Sequence, residues 1–312
     1  MVISKIELGE MRIPLRTPFK TALRTVESVH DIIVRVTGDD GTCGYGEAPA
    51  TAVITGDTLG SIRCAVEDFI APAILGMDVE DLDGISRRIR QSMVKNTSAK
   101  AAVDIAVYDL YARSLDRPLY KLLGGNAARV ETDLTISVNP VDEMERDSLD
   151  AVRIIRALED RALNIDLVEQ PVNAHDFRGM QEVTNAVYTP ILADESVFSV
   201  EDAIRILDAR AADLINIKLM KTGGISEALK ICAVAETFGA ECMVGCMLES
   251  KISVSAAAHL AAAKGVITRA DLDGPDLCLE DPYTGGPLYR DGVIEMQSAP
   301  GLGITGVPCF EA

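Results

Sequence analysis

The chain has 312 residues, 48% of them hydrophobic and 25% charged, which is ordinary for a globular protein and enough for two domains or one barrel with additions. A net charge of −18 argues against nucleic acid and anionic membrane surfaces as partners, although one local cationic pocket can still serve a small anionic substrate. The seven cysteines (Cys43, Cys64, Cys232, Cys242, Cys246, Cys278 and Cys309) lack CxxC spacing and read as reduced thiols of a cytoplasmic protein; the start MVISKIELGE carries no signal pattern, and no apolar run nears the roughly 20 residues of a membrane helix.

Residues 1–125 have a mixed α+β texture. "SKIELGEMRIPL" and "DIIVRVTGDDGTCGYGEAP" read as strands around a Gly-Asp turn, and helical patterns follow at 58–72, 81–94 and 97–115, the last stopping before Pro118 and Gly124–Gly125. From 126 to 285 strand and helix alternate. The predicted strands are 132–138, 165–171, 190–196, 213–221, 241–247 and 268–273, with helices such as "SVEDAIRILDARAA" and "GISEALKICAVAETFG" between them. A strand about every 25 residues is βα-unit spacing and implies a parallel sheet. Residues 286–312 are Gly/Pro-rich with hairpin character and are expected to return to the first domain.

Four of these strands end on a polar side chain: Glu169, Asp194, Lys218 and Asp271. In a parallel barrel such ends converge on the face where chemistry is located. Each alone could be an ordinary strand-end charge facing water; four in register on otherwise apolar strands point to a carboxylate metal site beside a base. His30, His175 and His259 have no zinc-like spacing, and an oxygen-only site suits Mg2+. Magnesium next to a lysine suggests proton removal beside a carboxylate, giving an enediolate whose two negative oxygens a divalent ion can hold.

"LVEQP", "ADES", "INIKLMKTGG", "CMVGCMLESKIS" and "DLDGP", with "PFKTALRT", "VITGDT" and "SAKAAVDIAVYDL", resemble the enolase superfamily in its muconate-lactonizing subgroup, nearest to dipeptide epimerases acting on Ala-Glu. The likeness spans nearly the whole chain. It implies a modified TIM barrel of the (β/α)7β type under an α+β capping domain, and a lysine base with magnesium, the general pattern of that superfamily. By position it makes Glu169 and Asp194 metal ligands and Lys218 one of two opposed acid/base lysines. Asp271 and Asp273 would bind the ammonium of the dipeptide, period-two spacing pointing both the same way. Arg24 would pair with a glutamate side chain of the substrate. Phe19 and Ile54 would form the lid, and Thr135, Cys246 and Met247 would line the pocket.

The resemblance also exposes a gap. Family members carry a Lys-x-Lys pair after the second barrel strand and an Asp ligand after the third, and neither has a counterpart here. "VDEMERDS" resembles the helix after strand one and "DAVRIIRALED" the helix before strand four, so about fifty residues, close to two βα units (strands 2–3), are missing near 144–151. Six strands are countable where closure needs eight. Either the natural molecule carries a stretch that this sequence lacks, or the gene has lost it. Deletion would leave raw parallel edges and exposed apolar interior, which favours the former.

The expected reaction is magnesium-dependent epimerisation of an Ala-Glu-like dipeptide at the α-carbon of its C-terminal residue. A cycloisomerase or o-succinylbenzoate synthase would share the metal and lysine, but their substrates bring no ammonium to Asp271 and Asp273. A true deletion would leave an inactive remnant. "GTCGYG" and "KTGG" match no phosphate-loop pattern. Barrels of this kind commonly assemble, so a homo-oligomer is expected, with no nucleic-acid or membrane partner.

Overall fold

The computed structural model describes residues 1–20, 25–133, 148–163 and 165–311. The chain opens with an antiparallel meander of β1 (Ile3–Lys20), β2 (Thr25–Gly38) and β3 (Cys43–Pro49), in that spatial order, as the paired strand patterns predict. The helical patterns that follow become α1 (Leu59–Cys64), continued through Ala65–Ile70 into α2 (Ala71–Ile74), then α3 (Leu82–Gln91) and α4 (Thr97–Ser114). Helix α4 is buried nearly all round because it is sandwiched, and its alanines let neighbours come close. On β3 the fit is limiting: a Cβ at Gly46 would lie 1.8 Å from the Ala102 carbonyl oxygen, so only glycine permits this strand–helix approach. Ile32, Val34 and Val36 of β2 form one core with Ala102, Val103, Ala106 and Leu110 of α4.

Short α5 (Leu119–Leu122) and β4 (Arg129–Glu131) lead to the second part. Here α6 (Ser148–Glu159) precedes β5 (Val168–Glu169), α7 (Phe177–Ala186), β6 (Ile191–Ala193), α8 (Val200–Asp208) and β7 (Leu214–Lys218). Then come α9 (Leu219–Thr222), α10 (Ile225–Phe238), β8 (Glu241–Gly245), α11 (Lys251–Ala263), β9 (Ile267–Asp271) and α12 (Gly274–Leu277). Strands β5 to β9 form one parallel sheet in sequence order, a partial barrel among the described residues. Their interiors (Ile191, Leu192, Ile215, Ile217, Val244) are fully buried, as strands covered on both faces require. The predicted strand 132–138 and the seam between Met144 and Ala151 fall largely outside the described residues.

Two differences from the sequence reading matter. The strand expected over 213–221 ends at Lys218, and the chain turns at once into α9, closed by Gly223 at φ 90°. The stretch 129–131, not foreseen as a strand, pairs with the tail: β10 (Leu288–Arg290) and β11 (Val293–Glu295) form a hairpin whose inner strand lies against β4. Further on, Leu302 donates its amide to Asp109 Oδ1 of α4 at 2.7 Å, and the Arg35 guanidinium of β2 stacks 4.3 Å from the Phe310 ring centre. The tail thus touches the first three strands and α4. Among the described residues no helix is long and apolar enough to cross a membrane.

Candidate active site at the strand ends

Because the five strands are parallel, their last residues share one end of the sheet. Glu169 closes β5, Asp194 directly follows β6, Lys218 closes β7 and Asp271 closes β9. Lys218 is paired in register with Gly245, and Gly245 with Asp271. The Lys218 ammonium donates to Asp194 Oδ2 at 2.8 Å. Asn216, two residues earlier and so on the same face of β7, donates to Glu169 Oε1 at 2.7 Å. Gly245 leaves room for this arrangement: a Cβ there would stand 3.0 Å from Lys218 Cε and 2.9 Å from Asn216 Oδ1.

Lys221, which the sequence reading did not single out, completes the cluster. Among the described residues it is the largest fully buried side chain, and its ammonium donates to Asp194 Oδ1, to the Asp194 carbonyl at 2.5 Å and to the Asn216 carbonyl at 3.2 Å. Read as a continuing strand, 219–221 would alternate faces. As a helical turn it swings Lys221 back over the strand ends, and a lysine in the otherwise apolar "KLMK" was the available signal. Gln170, held at φ 39°, accepts the amides of Asp194 and Ser196 at 3.0 and 3.2 Å and fixes the end of β6 to that of β5.

The electrostatics follow from this packing. Burial alone would raise the Asp194 carboxyl, but Lys218 and Lys221 overturn it and hold the group well below the ordinary carboxylate range. Burial would lower Lys218, and the charges of Asp194 and Glu169 reverse that and push it up. Burial lowers Lys221, offset only in part by Asp194. The surrounding protein and Asp194 raise Glu169, although its side chain still reaches solvent at the sheet edge. Half-buried Glu195 is raised by burial and by Asp194.

A second acidic group lies at the β9 end. Asp271 and buried Asp273 both act on Asp133, whose carboxyl is pushed up to about 7 by burial and then by the charge of Asp271, and both help hold up the Cys246 thiol, which burial raises most. The strand ends at Asp271 and Asp273 precedes α12 with helical dihedrals, so strand alternation is not what aligns the pair. Met247 is buried, and half-buried Phe19 and Ile54 pack on the apolar cluster that contains it. Arg24 and Thr135 lie outside the described residues. A cavity of about 690 Å³ lined by Arg129, Lys264 and Thr268 sits at the other end of β9 and contains none of the strand-end cluster.

Glu169 and Asp194 suit a hard cation in donor type, and the buried Asn216 Oδ1 beside them has no partner. In number they fall short: among the described residues no three His, Cys, Asp or Glu side chains converge closely enough to hold an ion.

Comparison with known proteins bears on what this arrangement does. Residues 5–124 match the model of the mandelate racemase / muconate lactonizing enzyme N-terminal domain, and residues 127–307 match an enolase C-terminal domain-like model. The chain is 48% identical to an L-Ala-D/L-Glu epimerase of Clostridium acetobutylicum, with 98% of this chain and 99% of that protein covered. It is 43% identical to the L-Ala-D/L-Glu epimerase of Bacillus subtilis, whose substrate-liganded structure superposes with a TM-score of 0.96 over 98% of this chain and 99% of that one. A dipeptide epimerase from Enterococcus faecalis, complexed with Mg and L-Leu-L-Tyr, is 36% identical with a TM-score of 0.93, covering 98% and 100% of the two chains. The alignment to the Clostridium protein spans 356 positions against a chain of 312 residues, so at least 44 of them face no residue here.

Proposed function

This chain belongs to the mandelate racemase / muconate lactonizing enzyme family of the enolase superfamily, and on that premise we propose that it is a magnesium-dependent isomerase that epimerises an Ala-Glu-like dipeptide at the α-carbon of its C-terminal residue. One observation carries the reading: Lys218 lies 2.8 Å from Asp194 at a strand-end face shared with Glu169 and Asp271. Glu169 and Asp194 would be two of the ligands of the magnesium, which would supply positive charge beside the substrate carboxylate when the α-proton leaves. Lys218 moves that proton; acid/base groups of this kind contribute about 10²–10⁴ in rate. Asp271 and Asp273 take the ammonium of the dipeptide, with Cys246, Met247 and Thr135 around it. Arg24 takes a substrate carboxylate, and Phe19 and Ile54 cover the bound molecule.

The same reading divides the chain into a capping domain (1–125), a barrel domain (126–285) and a returning segment (286–312). Seven free cysteines support a cytoplasmic location, and the acidic charge supports a small-molecule partner rather than nucleic acid or a membrane. A homo-oligomer is in keeping with barrels of this kind.

A specific absence favours a second reading. The sequence has no lysine between Lys121 and Lys218, so no lysine on the intervening strands can act from the opposite face. With one base the proton returns to the face it left. The chain of 312 residues would then exchange the α-proton without inverting the centre, or be inert.

Incubating the protein with magnesium and a dipeptide library in D₂O separates these. Deuterium with inversion supports epimerisation, deuterium with retention supports the second reading, and no incorporation refutes an active site of either kind. Lys218→Ala is expected to abolish incorporation, and near-parental turnover in that variant would refute its role.

A further inference from the structure

The carboxylate of Glu47 lies far from Lys218 in sequence and on a different sheet. It sits on β3, fully buried, and each of its oxygens is used twice. Oε1 accepts the Ser250 amide at 3.0 Å and the Ser250 hydroxyl at 2.5 Å; Oε2 accepts the Ser253 amide at 2.9 Å and the Ser253 hydroxyl at 3.0 Å. Ser250 is the residue before α11, yet its hydroxyl makes no cap to its own helix. It donates to Glu47 instead and accepts from the Tyr283 hydroxyl at 2.7 Å. A side chain more than 200 residues away therefore takes up two of the free amides at the start of a 13-residue helix, those of Ser250 and Ser253, and its negative charge lies at the positive end of that helix.

What precedes α11 is the segment Cys246–Glu249. Leu248 holds a left-handed conformation at φ 72°, which costs a branched side chain energy and persists only where the surroundings impose it. Glu249 is buried and lies within the field of Lys218, and Gly274 of the next turn packs so closely that a Cβ there would be 2.7 Å from the Glu249 carbonyl oxygen. The segment is four residues long and is tethered to the start of α11 on one side and to β8 on the other. Fixing the start of α11 fixes the loop.

We propose that Glu47 is a positioning residue of the active site: from the β1–β3 sheet it anchors the N-terminus of α11 and so holds the strained Cys246–Glu249 segment against the strand-end cluster. The catalytic consequence rests on the function proposed above, while the anchoring itself does not. Docking of the β1–β3 sheet onto the barrel is thereby part of assembling the pocket wall, not only its cover.

The test compares the full chain with Glu47→Gln and Glu47→Asp. Amide hydrogen exchange is read without metal or substrate, and kcat and KM are taken from α-deuterium incorporation. In Glu47→Gln the amides of 250–253 are expected to exchange roughly 10- to 100-fold faster while those of α10 stay unchanged, the range that losing charge-assisted bonds gives. Its kcat is expected to fall about 10-fold or more with KM within about 2-fold, and Glu47→Asp should recover part of both. Parental protection of 250–253, protection lost evenly along α10 and α11, or a parental kcat would overturn the proposal. If the parent incorporates no deuterium, the functional reading fails and amide exchange alone decides the anchor. Should Glu47→Gln not fold, Glu47→Asp, which keeps the charge but shortens its reach, carries the comparison.

Discussion

Replacing Lys221 by methionine tests whether the strand-end cluster is held together as its geometry implies. The ammonium is fully buried and donates to Asp194 Oδ1 and to two backbone carbonyls. Methionine fills a similar volume and donates nothing. Breaking a buried ion pair by removing one partner costs about 3–5 kcal/mol, and because Lys218 remains on Asp194 Oδ2 we take the lower end, about 3 kcal/mol. With a urea dependence near ~3 kcal/mol per molar for a chain of this size, the unfolding midpoint should fall by about 1 M. Lys218→Met should cost less, since that side chain is 14% exposed against 1% for Lys221 and gives up one hydrogen bond where Lys221 gives up three. The pH dependence has a definite sign. Asp194 is held below the ordinary carboxylate range, so its contribution is present above about pH 4 and is lost as the pH falls toward its folded value. The gap between parent and Lys221→Met should therefore narrow below about pH 4. An unchanged midpoint in Lys221→Met, or a larger loss in Lys218→Met, would refute this account of the cluster.

Two further outcomes follow from single contacts. Gly245→Ala places a methyl 3.0 Å from Lys218 Cε and 2.9 Å from Asn216 Oδ1; since Asn216 is tied to Glu169, the lysine gives way. Overpacking of this kind costs about 1–3 kcal/mol, and a base displaced by about 1 Å can lose 10²-fold in rate, so deuterium incorporation should fall far more than thermal stability; parental incorporation would show that Lys218 does not depend on this space. Glu249, pushed up to about 8 by burial and the charge of Glu47, keeps its proton in the fold at pH values where the unfolded chain has lost it. Stability should therefore decline as pH rises from about 4.3 through about 8, and Glu249→Gln should flatten that decline in urea midpoints; coincident slopes would mean that Glu249 is not the group responsible.

The parallel βα order, the meander at the start and the polar strand ends were legible from sequence because each follows from a local rule. Apolar runs of strand length, separated by helical periodicity, have one economical arrangement, and in that arrangement Glu169, Asp194, Lys218 and Asp271 must finish at the same end. Local patterns also set the limits. The turn into α9 depends on one boundary after Lys218, and a misplaced boundary hid Lys221 by sending it to the wrong face.

Other features needed the assembled chain. The Glu47 carboxylate meets Ser250 and Ser253, and Asp104 of α4 meets the Ser226 amide at 3.1 Å at the start of α10, across more than a hundred residues each. Nothing in the residues around any of these positions encodes the partner. A strand or helix is selected by neighbours a few residues apart, whereas a buried carboxylate is tolerated only where docking brings donors to it. That choice belongs to the packing of the two halves of the molecule and cannot be read from either half alone.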